Sequence, residues 1–84
     1  MEEKDTRVAV ISIIVESPDS VNRINEILHD ASESVIGRMG LPYREKNISI
    51  ISVVVDDTQD VVSNISGRLG RLPGVTVKTA YSKK

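Results

Sequence analysis

Val8-Ala9-Val10-Ile11-Ser12-Ile13-Ile14-Val15 is β-branched almost throughout. A run of that length and composition reads as a strand. Ile48-Ser49-Ile50-Ile51-Ser52-Val53-Val54-Val55 has the same character. The two runs also align with each other. Ile11-Ser12-Ile13-Ile14-Val15-Glu16 echoes Ile51-Ser52-Val53-Val54-Val55-Asp56, and Val21 and Val35 fall opposite Val61 and Val75. Two βαβ halves of a split βαβ fold leave such a trace. A chance likeness between two strand–helix units is the competing explanation, since identities are few.

The segments between the runs supply the other elements. Ser17-Pro18-Asp19 opens a helix, with Ser17 as N-cap and Pro18 in the first helical position. Asp19 places negative charge at the positive end of the helix dipole. Val21, Ile24, Leu28 and Ala31 recur at helical spacing, and Ile27 widens the stripe. Ser34 to Met39 reads as a weaker strand, punctuated by Gly40-Leu41-Pro42 and followed by the polar connection Arg44-Glu45-Lys46-Asn47. Asp57 or Thr58 caps a second helix, whose stripe is Val61, Ile65, Leu69 and Leu72. Gly67 weakens that helix by about 1 kcal/mol relative to Ala and is read as a point of close backbone packing. Gly70 and Pro73-Gly74 end it. Val75 to Tyr81 alternates and reads as a half-exposed strand. The expected fold is α+β: a ferredoxin-like βαββαβ sandwich, a four-stranded antiparallel sheet with two helices on one face. One domain spans 1–84, with an ordered core at 7–81 and tails at 1–6 and 82–84.

Right-handed crossovers put both helices on one face of such a sheet. Strands covered on one side only should alternate apolar and polar. The two central strands do not. Val8, Val10 and Ile14 point one way, and Ala9, Ile11, Ile13 and Val15 the other. Ile48, Ile50 and Val54 oppose Ile51, Val53 and Val55 in the same manner. Both faces at the sheet centre are therefore apolar, and a bare apolar patch of that size marks an interface. The expected cover is another copy packed sheet on sheet, giving a homo-oligomer, dimer or tetramer. A tail or a short extra element is the alternative. The pattern does not fix which face carries the helices. Ile11, Ile13, Val15, Ile51, Val53 and Val55 are assigned to the interface.

Composition narrows the function. An 84-residue chain buries only about 60–65% of its unfolded surface. It has no cysteine, so oligomerisation is the remaining common reinforcement. That absence also fits the cytoplasm. The net charge of −1 lacks the basic excess of a nucleic-acid binder. No apolar run is long enough to span a bilayer. RNA-recognition modules of this topology stack bases on aromatics of the central strands. Here there is no Phe or Trp, and Tyr43 and Tyr81 lie elsewhere. A metallochaperone would need Cys-x-x-Cys. An acylphosphatase-like enzyme would need a basic phosphate loop where Glu16-Ser17-Pro18-Asp19 stands. His29, the only histidine, reads as a surface residue near a helix end. Asp56, Asp57 and Asp60 read as helix caps rather than a cation site. No catalysis, cofactor or metal is expected.

Three segments carry a resemblance. They are Asn25-Glu26-Ile27-Leu28-His29, the stretch Gly37-Arg38-Met39-Gly40-Leu41-Pro42-Tyr43-Arg44-Glu45-Lys46-Asn47, and Ser66-Gly67-Arg68-Leu69-Gly70 with Pro73-Gly74-Val75-Thr76-Val77-Lys78-Thr79. Together they resemble a small bacterial family of iron-only hydrogenase system regulators, over nearly the whole chain. Its members look like ACT domains and the C-terminal domain of the nickel-responsive repressor. The resemblance implies a ferredoxin-like fold, assembly through the sheet and a regulatory role. Two departures limit it. ACT domains that bind amino acids often carry Asp-x-Pro-Gly after the first strand, whereas Asp19 stands in the Gly position here. The nickel repressor carries a DNA reader and a His/Cys metal set that this sequence lacks.

The expected function is a non-enzymatic regulatory module that senses an effector or binds a protein of the hydrogenase system. Arg38, Gly40 and Pro42 are the candidate ligand contacts. The alternatives are a structural oligomerisation partner without a ligand and, more weakly, a regulator that contacts DNA.

Overall fold

The computed structural model describes residues 5–83. Of the expected tails, residues 1–4 and 84 lie outside the described residues. Strand β1 (Arg7–Val15) leads through a short 3-10 turn at Pro18–Ser20 into helix α1 (Val21–Asp30). Strand β2 (Val35–Tyr43) and strand β3 (Ile48–Asp57) flank a second 3-10 turn, Arg44–Lys46. Helix α2 (Gln59–Gly70) and strand β4 (Val75–Tyr81) complete the chain. The sheet order is β2-β3-β1-β4, antiparallel throughout. This is the ferredoxin-like arrangement, with the two β-branched runs at its centre. Arg7 lies opposite Asp57 and Val15 opposite Ser49, so the central strands pair along their full length.

The core lies between the sheet and the helices. Ala9, Ile11, Ile13 and Val15 of β1 and Ile51, Val53 and Val55 of β3 meet Ile24, Ile27 and Leu28 of α1 and Val62, Ile65 and Leu69 of α2. Six of these residues were assigned above to an interface, and that assignment is wrong. Ile11, Ile13, Val15, Ile51, Val53 and Val55 are buried beneath the helices. Parity could not decide the face, because both sides of the central strands are apolar. The open face carries the opposite set: Val8, Val10, Ile14, Ile48, Ile50 and Val54, joined by Met39, Leu41 and Tyr43 of β2.

Strand β2 is longer than its composition suggests. Gly40-Leu41-Pro42 is not a break; pairing with β3 continues to Tyr43 opposite Ile48. An edge strand tolerates proline because half of its N–H groups have no ladder partner. A register shift between Val35 and Gly37 makes Ile36 a bulge, which leaves its side chain 62% exposed. The chain then turns at Asn47, which holds φ 56°, a conformation asparagine tolerates better than most residues.

The helices depart from expectation in phase. Ser17 precedes the 3-10 turn, with Pro18 at its first position, and α1 itself begins at Val21. In α2 the buried stripe is Val62, Ile65 and Leu69, with Leu72 packed against it, and Val61 faces solvent. Thr58 is the N-cap: its hydroxyl accepts from the Val61 N–H at 3.3 Å. Asp57 supports it, accepting from the Thr58 N–H at 2.7 Å and from the Ser34 hydroxyl at 2.5 Å. The acid is thus engaged in capping and in tying β2 to the start of α2.

Gly67 is not a packing contact. A Cβ there would meet only the Arg71 guanidinium, at 3.7 Å. Gly67→Ala should therefore stabilise the chain by about 0.5–1 kcal/mol, since Ala loses less backbone entropy in a helix. Thermal unfolding should shift upward by about 3–6 °C. A downward shift would mean that the helix needs the glycine for a reason its surroundings do not reveal.

Gly74 is different. It holds φ +69°, and a Cβ on it would lie 2.6 Å from Ser17 Cβ and 2.9 Å from Ser17 N. Two hydrogen bonds lock this approach. The Glu16 N–H donates to the Gly74 carbonyl at 2.7 Å, and the buried Ser20 hydroxyl donates to the Pro73 carbonyl at 2.6 Å. The loop before β4 thereby clamps the entry to α1.

Candidate functional site

Helix α1 crosses over the β3–β2 side of the sheet and leaves a trough along β2. Arg38, Gly40 and Pro42 lie opposite Val53, Ile51 and Ser49, on the helix-covered side. They are two residues apart on a strand, so their positions share one face. Val21 and Asn25 of α1 are one helical turn apart and form the opposite wall. The trough has a volume of about 300 Å³ and is lined by Val21, Asn25, Arg38, Gly40, Pro42 and Ile51 among others. All three residues proposed from sequence thus come together on one wall.

Each wall residue has a physical role. Gly40 keeps the trough open: a Cβ there would meet nothing nearer than the Ile50 carbonyl oxygen at 3.9 Å. Pro42 continues the wall toward a smaller cleft of about 120 Å³ at the mouth of the β2–β3 turn. Arg38 stands at the other end. Its Nη2 donates to Asn25 Oδ1 at 3.0 Å. Among the described residues no carboxylate pairs with it. An arginine oriented by a neutral amide keeps its charge and most of its five donors available. Beyond Arg38 the trough opens into a depression lined by Asn25, Leu28, His29, Ser32, Val35 and Arg38. His29 therefore lies on the rim of the same site, although its chain position suggested only a surface residue.

The arrangement offers a cation, an amide and an imidazole at one end and an apolar floor at the other. It can hold the anionic head of a small molecule against Arg38 and cover an apolar body with Val21 and Ile51. Among the described residues no side-chain hydrogen bond joins a hydroxyl to His29. Among the described residues no group of His, Asp or Glu side chains could hold a metal ion. Asn25 was missed in the sequence. Its spacing from Val21 was the available signal, because the two must share a helix face.

The open face of the sheet is the second feature. Leu41, Ile50 and Ile14 form one row across three strands, and they are 63%, 41% and 43% exposed. Met39 is 74% exposed beside them. The β4 margin is polar, with Thr76 and Lys78 on this side. Among the described residues no helix is long and apolar enough to cross a membrane.

Residues 7–79 match the TM1266-like family, described as "Iron-only hydrogenase system regulator, putative". Among solved structures, the uncharacterized protein TM1266 from Thermotoga maritima is 36% identical, with a TM-score of 0.90 over 94% of this chain and 100% of that one. The C-terminal domain of the MgtC protein from Mycobacterium tuberculosis shares the fold at 17% identity. Its TM-score is 0.67, over 99% of this chain and 95% of that one. An unknown protein from Galdieria sulphuraria does so at 18% identity, with a TM-score of 0.63 over 95% of this chain and 47% of that one. No curated protein matches.

Proposed function

We infer the role from one premise: this chain belongs to the TM1266-like family of iron-only hydrogenase system regulators. It acts as a cytoplasmic, non-catalytic sensing module. It assembles through the open face of its sheet and responds to a small carboxylate held in the α1–β2 trough. The observation that carries the sensing role is Arg38: a guanidinium without a carboxylate partner among the described residues, oriented by Asn25 above a trough that Gly40 keeps empty.

Assembly rests on area as well as apolarity. Four strands spaced about 4.8 Å apart and about 30 Å long give roughly 600 Å² of flat footprint. Side-chain relief enlarges the accessible area, bringing it close to the roughly 800 Å² per partner of a standard stable interface. The occupant that fits without remainder is a second copy of the same face. Leaving it wet forfeits roughly 1.5–3 kcal/mol for each large side chain.

A thermal-shift screen of small carboxylates, with amino acids, nucleotides and metal ions alongside, tests the sensing role. A carboxylate should raise the unfolding midpoint of the native chain. Arg38→Gln should remove at least about tenfold of its affinity, the scale of a charge-assisted pair. Gly40→Val should block it by filling the trough while the protein stays folded. A ligand whose binding ignores both substitutions would place the sensor elsewhere. If no ligand shifts the midpoint, the chain is a scaffold.

A further inference from the structure

Half of the chain's arginines meet at one place that the sequence gives no reason to expect. Arg23, on the first turn of α1, and Arg68 and Arg71, near the end of α2, line a groove between the two helices with Ile27 and Leu72. The groove has a volume of about 320 Å³ and lies on the helix layer, away from both the open sheet face and the Arg38 trough. Cations at the C-terminal end of a helix complement its dipole, which accounts for Arg68 and Arg71 taken alone. It does not account for Arg23, which stands at the positive end of α1, where a cation is disfavoured.

The chain uses few of the donors it gathers there. Arg23 Nη1 bonds Glu26 Oε1 at 2.9 Å on an exposed surface, a contact of the kind that contributes little. Arg68 Nη2 is 3.8 Å from Asp30 Oδ2, too far for a hydrogen bond. Arg71 gives its Nε–H to the Gly67 carbonyl at 3.1 Å. Its terminal nitrogens have no hydrogen-bonded partner among the described residues. Glu26 and Asp30 offset two of the three charges, so one positive charge remains, with forked donors facing a groove that has an apolar floor. Planar guanidinium forks match the oxygens of phosphate, which brings nearly two negative charges at neutral pH.

We propose that the groove between the helices, where Arg23, Arg68 and Arg71 converge, is a binding site for a phosphate-bearing small molecule. Phosphate oxygens take the free donors of Arg68 and Arg71, and the half-buried Leu72 supports a less polar part of the ligand. The site is independent of the Arg38 trough.

Nitrogen-15 NMR titration of the full chain with inorganic phosphate and then pyrophosphate, at constant ionic strength set by sodium chloride, tests this. The expected result is saturable shifts confined to the Nε–H signals of Arg23, Arg68 and Arg71 and the amides around Ile27 and Leu72. Pyrophosphate should bind more tightly than phosphate. Arg68→Gln and Arg71→Gln should each weaken binding about tenfold while lowering the thermal melt by no more than a few degrees, and Arg38→Gln should leave binding intact. Shifts that grow without saturating, or that appear equally at Arg7 and Arg44, would reduce the effect to ordinary screening and overturn the proposal. So would loss of binding in Arg38→Gln, or a hexaglutamate peptide binding more tightly than pyrophosphate, which would point to an acidic protein partner instead.

Discussion

Gly74→Ala is expected to lower the midpoint of thermal unfolding by about 10–30 °C, which corresponds to about 2–5 kcal/mol in a domain of this size. Two effects add. The left-handed backbone at φ +69° disfavours any L side chain by about 1–2 kcal/mol. The new Cβ would also meet the Ser17 Cβ and backbone nitrogen inside 3 Å, and forcing atoms into packed space costs about 1–3 kcal/mol more. Ser17 cannot swing away, because its Cβ and backbone nitrogen move only with the main chain. Retreat of the loop would stretch the Glu16–Gly74 and Ser20–Pro73 hydrogen bonds. Gly70→Ala is the control. Nothing lies within 4 Å of a Cβ there, and its midpoint should hold or rise. Equal melting of the two variants, followed by circular dichroism, would show that the clamp at α1 has no energetic role.

If the chain assembles as proposed, Ile50→Asp is expected to leave folded monomers, raising the dissociation constant at least about a thousandfold. Ile50 lies on a central strand of the open face, between Leu41 and Ile14. It contributes nothing to the core, so the fold should survive. In a two-fold assembly each substitution appears twice. A carboxylate left unpaired inside an apolar contact is destabilising by several kcal/mol. Native mass spectrometry and sedimentation velocity report the outcome directly. A wild-type chain that stays monomeric at high concentration would remove the assembly model before the variant is made.

The sequence revealed the fold more readily than the surfaces. The β-branched runs Val8–Val15 and Ile48–Val55 read as strands from composition alone, and their apolar residues at nearly every position suit strands at the centre of a sheet. That same property concealed the orientation. With both parities apolar, nothing in β1 or β3 says which side meets the helices, and the interface set was placed on the buried side. Strand β2 holds the missing signal. Its Met39, Leu41 and Tyr43 belong to the open face, whereas Arg38, Gly40 and Pro42 face α1. Reading Gly40-Leu41-Pro42 as a turn discarded that alternation. In α2, Val61 and Val62 are adjacent and equally apolar, so a one-residue uncertainty in the start of the helix exchanged their roles. The α1–β2 trough was half legible, through Arg38 and Gly40. The arginine groove was not legible at all. Arg23 and Arg68 are far apart in the chain, and only the antiparallel packing of the helices brings them to one place.

The contrast between a greasy β2 margin and a wet β4 margin selects the symmetry of any face-to-face pair. Two simple dyads keep the footprints fully overlapped. A dyad parallel to the strands would seat β2 of one copy on β4 of the other, pressing Leu41 toward Thr76 and Lys78 and stranding an ammonium in hydrocarbon. A dyad running across the strands sets β2 over β2 and β4 over β4. The apolar β2 margins then face each other, and both lysines stay at a common rim where water can reach them.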